Sequence, residues 1–171
     1  GLALVAALGL VAAGPVSAKG QKPINTSIEL TLVLEICPEQ PLPLLSWVGT
    51  TQIKGETYGW ADFPNPPGPA VVDGNFTRFV EYWTIFDLNG SEDLTAAACD
   101  PDRVLLAGDN TGSGTKGNTF RADGTVTFVD REGPFADVQV GSRMFWRGKV
   151  LGGPPAPGSE FKATLHIHPP R

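Results

Sequence analysis

From residue 27 to 36 the chain alternates. Ile28, Leu30, Leu32, Leu34 and Ile36 take one parity, and Ser27, Glu29, Thr31, Val33 and Glu35 the other. A period of two predicts a strand with one dry and one wet face, ended by Pro38, Pro41 and Pro43. Trp47 to Ile53 predicts a second strand, which Tyr58 to Phe63 would continue beyond Gly55. The stretch "FPNPPGPAVVDG" (63–74) is too poor in backbone donors for a central strand and reads as a connector. Residues 75–88 form the next strand, stopped at Asn89-Gly90. Leu94 to Cys99 fits one helical turn or a short strand. Arg103 to Asp109 is strand-like, and "DNTGSGTKGN" reads as a glycine loop. In "NTFRADGTVTFVD" the Asp123-Gly124 pair predicts a tight hairpin turn. Arg143 to Leu151 and Phe161 to His168 supply the last strands. Helical periodicity is nearly absent after residue 18. About eight strands without crossover helices predict an all-β chain folded as a single antiparallel barrel, with a β-sandwich as the alternative. The long strands favour closure.

The strand "NFTRFVEYWTIFDL" raises a chemical question. Thr77, Phe79, Glu81, Trp83 and Ile85 share one face, and Phe76, Arg78, Val80, Tyr82, Thr84 and Phe86 the other. Both faces are apolar enough to be covered, which predicts a cover outside as well: a partner subunit or the proline-rich segment folded back. If the first face points inward, Glu81 is a carboxyl in an aromatic cavity. Desolvation would raise its pKa and suit it to proton transfer or to anchoring a ligand. The competing readings turn Glu81 to water, or pair it with Arg103 or Arg121. Trp47, Phe79, Trp83, Met144 and Trp146 are the candidate walls around it, and an ordinary filled core would use the same residues. Arg143, Arg147 and Lys149 read as a solvated outer stripe.

Composition narrows the setting. Residues 1–18, "GLALVAALGLVAAGPVSA", are uncharged, with an apolar run too short to span a bilayer and small residues before Lys19. They read as an export signal truncated at its start, ahead of a barrel domain at 19–171, which predicts a secreted or periplasmic protein. With 18 acidic against 13 basic residues the net charge is −5, which argues against nucleic acid as a partner. Cys37 and Cys99 are the two cysteines. In an exported chain an even pair predicts a disulfide, with two buried thiols as the alternative. His166 and His168 would project from one side of the last strand, but no further histidine is present to complete a metal set, so neither metal nor cofactor is expected. Phosphate-loop and calcium-loop patterns fail on spacing, and no nucleophile elbow of the form Gly-x-Ser-x-Gly is present.

The stretches "WVGTTQIKGETYGW", "FTRFVEYWTIF" and "FRADGTVTFVDREGPFADVQVGSRMFWRGKV" resemble small exported prokaryotic barrel proteins of unassigned function, similar in plan to the allene oxide cyclase and dirigent barrels. The resemblance implies eight strands, an apolar lumen, and homo-oligomers formed through outer faces. It carries Glu81 over as an acidic residue in an aromatic lumen, and no complete catalytic set. Three functions follow as expectations: a barrel binding a small apolar or amphipathic ligand, a structural or interaction barrel acting through its outer face, and a cofactor-free isomerase or cyclase with Glu81 as its proton carrier.

Overall fold

The computed structural model describes residues 22–34, 37, 45–64, 71–73, 76–115, 118–153 and 156–170. The expected export signal and most of the proline-rich connector lie outside them. Nine strands form: β1 (Ile24–Leu34), β2 (Leu45–Ile53), β3 (Glu56–Pro64), β4 (Val71–Asp73), β5 (Phe76–Phe86), β6 (Val104–Thr115), β7 (Thr119–Val129), β8 (Arg143–Val150) and β9 (Glu160–His168). Eight of them make a closed antiparallel barrel in the order β1-β2-β3-β5-β6-β7-β8-β9, with β9 returning to β1. The three-residue β4 pairs with 76–78 of β5, on the side where β3 pairs with 81–86. Closure pairs the backbone of every long strand on both sides, so no long strand is left as an edge. The fold is all-β with one short helix.

Two local expectations fail, for instructive reasons. Lys54 and Gly55 both have positive φ (55° and 86°) and close a two-residue hairpin. Tyr58–Phe63 therefore turns back as a separate strand. Asp123-Gly124, in contrast, makes no turn. β7 runs straight through it, with Gly124 paired to Asn110 and Met144. A Cβ at 124 would overlap the Asp109 carbonyl, so this glycine serves close strand approach rather than reversal. One hairpin too few and one too many offset each other in the strand count.

The expected glycine loop also becomes strand. β6 continues to Thr115 because Gly112 and Gly114 lie under the rings of Phe79 and Phe120. Phe79 and Trp146 then stack across the small pair Gly112 and Ala122 in one cross-strand row, centroids 5.8 Å apart and planes 9° off parallel. Gly112→Val would force a branched side chain into Phe79 and the Arg121 carbonyl. We expect a loss of about 1–3 kcal/mol, seen as a lower urea midpoint at unchanged slope.

One end of the barrel is closed by the β7–β8 connection, which buries Phe135 and Val138 in the core and sets Phe135 4.9 Å from the Tyr58 ring. Outside, β2, β3 and β5 are covered by α1 (Leu94–Ala98), so residues 94–98 are helical. Asp93 caps it, its Oδ1 accepting from the backbone N–H of Thr95 and Ala96 at 3.0 Å each. Ala97 and Ala98 pack with Val48, Ala61 and Phe86, and the Cys37–Cys99 disulfide joins the same cluster. The second apolar face of β5 is thus covered in part by the chain's own helix.

Candidate functional site

Strand parity decides what enters the lumen. Phe79, Glu81, Trp83 and Ile85 alternate inward along β5, as do Tyr58, Trp60 and Asp62 along β3. Asp62 stands directly opposite Trp83 on one side and Trp47 on the other. Glu81 stands opposite Asn110 of β6, and the row continues through Gly124 to Met144. Asp62 and Glu81 are therefore diagonal neighbours on adjacent strands, within reach of each other's charge.

The rings form a collar toward the end away from Phe135. Trp146 and Trp47 each lie 5.3 Å from Phe161, and Phe120 sits against both Phe79 and Phe161. Deeper, Trp60 and Trp83 stack 5.2 Å apart and 4° from parallel. The expected set Trp47, Phe79, Glu81, Trp83, Met144 and Trp146 all faces the interior. Trp47 and Phe79 are half-buried, and Trp83, Met144 and Trp146 fully so.

Within these rings the polar groups are poorly satisfied. Asp62 Oδ2 accepts from Trp60 Nε1 at 2.8 Å. Among the described residues its Oδ1 has no hydrogen-bond partner, nor do Glu81 Oε2, either amide atom of Asn110, or the indole nitrogens of Trp83 and Trp146. Glu81 is half-buried as a residue, yet Oε2 is sealed from solvent, and that oxygen governs its electrostatics. Burial pushes the Asp62 carboxyl up to about 7, with the Trp60 hydrogen bond opposing. Burial also raises Glu81 well above its ordinary value and the neighbouring Asp62 charge adds to the rise; the Asn110 amide, close to the carboxyl but outside hydrogen-bond geometry, works against it. Glu81 therefore keeps its proton to higher pH than an ordinary carboxyl, while Asp62 is poised between its two states near neutral pH. Such a pair can accept or release a proton inside an apolar interior.

The suggested arginine partners for Glu81 do not reach it. Arg103 bonds Asp100 at 3.2 Å, and Arg121 is exposed. Arg143, Arg147 and Lys149 lie on the outer surface as expected. His166 also lies outside, its Nδ1 donating to Asn25 Oδ1 at 2.6 Å and its ring stacked near Phe145 and His168. Among the described residues no three metal-ligating side chains gather.

Asp62 and Asn110 were missed by the sequence reading. For Asp62 the signal was present: "YGWAD" places an acid two residues from Trp60 on one pleat face, the pattern that singled out Glu81. Asn110 carried none, because it fell in the stretch read as a loop.

No family model, curated protein or solved structure matches the chain. The barrel plan implied by the resemblance is present, and no family is identified.

Proposed function

We propose that this protein binds a small amphipathic ligand inside the barrel, with Asp62, Glu81 and Asn110 as polar anchors and Trp47, Phe79, Trp83, Met144 and Trp146 as walls. The supporting observation is the set of six partnerless polar atoms on inward-facing Asp62, Glu81, Asn110, Trp83 and Trp146. Each such atom costs about 1–3 kcal/mol. A core selected for stability alone would not concentrate them in one place, whereas a ligand can satisfy several at once. The disulfide suggests an oxidising compartment, in keeping with an exported protein.

All four tryptophans of the chain face the lumen, so occupancy has a built-in reporter. The neutral dye N-phenyl-1-naphthylamine is expected to quench their emission saturably by energy transfer. Native mass spectrometry of the purified protein should also retain a small molecule. Absence of both results would refute the proposal and favour a solid barrel acting through its outer face. That rival has lost part of its surface, since Phe86 is buried under α1 while Val80 remains exposed.

A second reading has its own support. Asp62 beside Glu81, with Asn110 opposite, supplies the additional polar groups that a cofactor-free isomerase or cyclase needs to move a proton. Under it, Glu81→Gln would keep ligand affinity and lose turnover; equal loss of both would indicate binding alone.

A further inference from the structure

We infer that the lumen site is built for a primary ammonium group carried on an apolar or aromatic body. The inference rests on the lumen-binding reading above and names the ligand's chemistry.

Three observations converge. First, among the described residues the partnerless acceptors facing the lumen are three: Asp62 Oδ1, Glu81 Oε2 and Asn110 Oδ1. A primary ammonium offers three N–H donors and no acceptor. Second, the two carboxyls have no counter-cation among the described side chains. Arg121, Arg143, Arg147, Lys149 and Lys162 are exposed on the outer surface, and Arg103 and Lys54 pair with Asp100 and Asp137. An anionic ligand would meet repulsion there, and a neutral one would leave the charge of an ionised pair uncompensated. Third, indoles flank the acids. Trp47 and Trp83 are the direct cross-strand neighbours of Asp62, and Phe79 and Trp83 are the inward neighbours of Glu81. Aromatic faces attract cations, most strongly when both are withdrawn from water. Asn110 Nδ2 and the indole N–H groups of Trp83 and Trp146 remain as donors for oxygens on the ligand body.

Entry of a cation then displaces a proton held by the pair, so binding is proton-linked. The groups facing Asp62 and Glu81 are Trp47 from β2, Phe79 and Trp83 from β5, and Asn110 from β6. The other inward titratable side chain described is Tyr58, toward the closed end against Phe135.

The test compares two isosteric probes, 4-phenylbutylamine and 4-phenylbutanol, by calorimetry on the whole protein. At about pH 8 the amine should bind at least about tenfold tighter. That advantage should shrink at about pH 5.5, where Asp62 keeps its proton. The amine's binding enthalpy should change between buffers of different ionisation heat, reporting proton release. The double variant Asp62→Asn, Glu81→Gln should erase the preference while alcohol affinity persists. Equal or tighter binding of the alcohol, or a preference surviving in the double variant, overturns the ammonium assignment and leaves the lumen reading standing. If neither probe binds at millimolar concentration the assignment also fails, and the lumen reading fails with it only if the naphthylamine dye is excluded too.

Discussion

Replacing Cys37 and Cys99 together by serine is expected to destabilise the barrel by about 4 kcal/mol. The bridge joins residues 62 apart, and closing a loop of that length in the unfolded chain accounts for a loss of this size. For a domain of this length the melting temperature should fall by roughly 10 °C. The loss should begin at a definite place. α1 has five residues, far too few to be helical alone, and it is held by the bridge and by contacts with Val48, Ala61 and Phe86. Without the bridge, amide exchange at 94–98 should accelerate well before the barrel strands exchange. Unchanged melting together with a protected α1 would refute this account.

The second large effect is a stability that falls as pH rises. Asp62 ionises at 3.8 as an ordinary side chain and at about 7 in the folded barrel. Between those values the folded state holds a proton that the unfolded chain has released, so raising the pH favours unfolding. The loss is complete once pH passes the folded-state value. For Asp62 alone it amounts to about 4 kcal/mol, and Glu81 shifts in the same direction. The empty protein should therefore melt at a higher temperature near pH 5 than near pH 8. Asp62→Asn can keep an oxygen acceptor for Trp60 Nε1, and with Glu81→Gln it removes both titrations. That double variant should be more stable than the natural chain at alkaline pH and show a flatter profile. A natural chain whose stability rises over the same interval would show that the pair is not enclosed as described.

The two effects differ in meaning. The bridge stabilises by restricting the unfolded chain. The carboxyl pair works against the fold at neutral pH, and a barrel carries such a cost when the groups serve a ligand or a reaction.

Much of this was legible along the chain. Alternation at 27–34 and 76–86 predicts strands and sorts their side chains onto two faces, because successive residues of a strand point to opposite sides. That alternation put Phe79, Glu81 and Trp83 on one face without excluding the opposite face as the lumen side, and the even cysteine count favoured the bridge over two buried thiols. Glycine was less transparent. At Gly55 it reverses the chain, while at Gly112 and Gly124 it makes room for Phe79 and for a neighbouring backbone. Local sequence does not distinguish these uses, since the thing making the space necessary belongs to another strand.

By itself, then, the sequence determined an all-β chain and an acid sharing one strand face with aromatic rings, since each depends only on period-two geometry and composition; which face of β5 turns inward stayed open. Only the tertiary structure decided that β9 closes on β1, that α1 rather than another chain lies over Phe86, and that Asp62 and Asn110 stand beside Glu81. Those facts depend on register between strands distant in sequence, and electrostatic coupling between buried groups exists only once that register has brought them together.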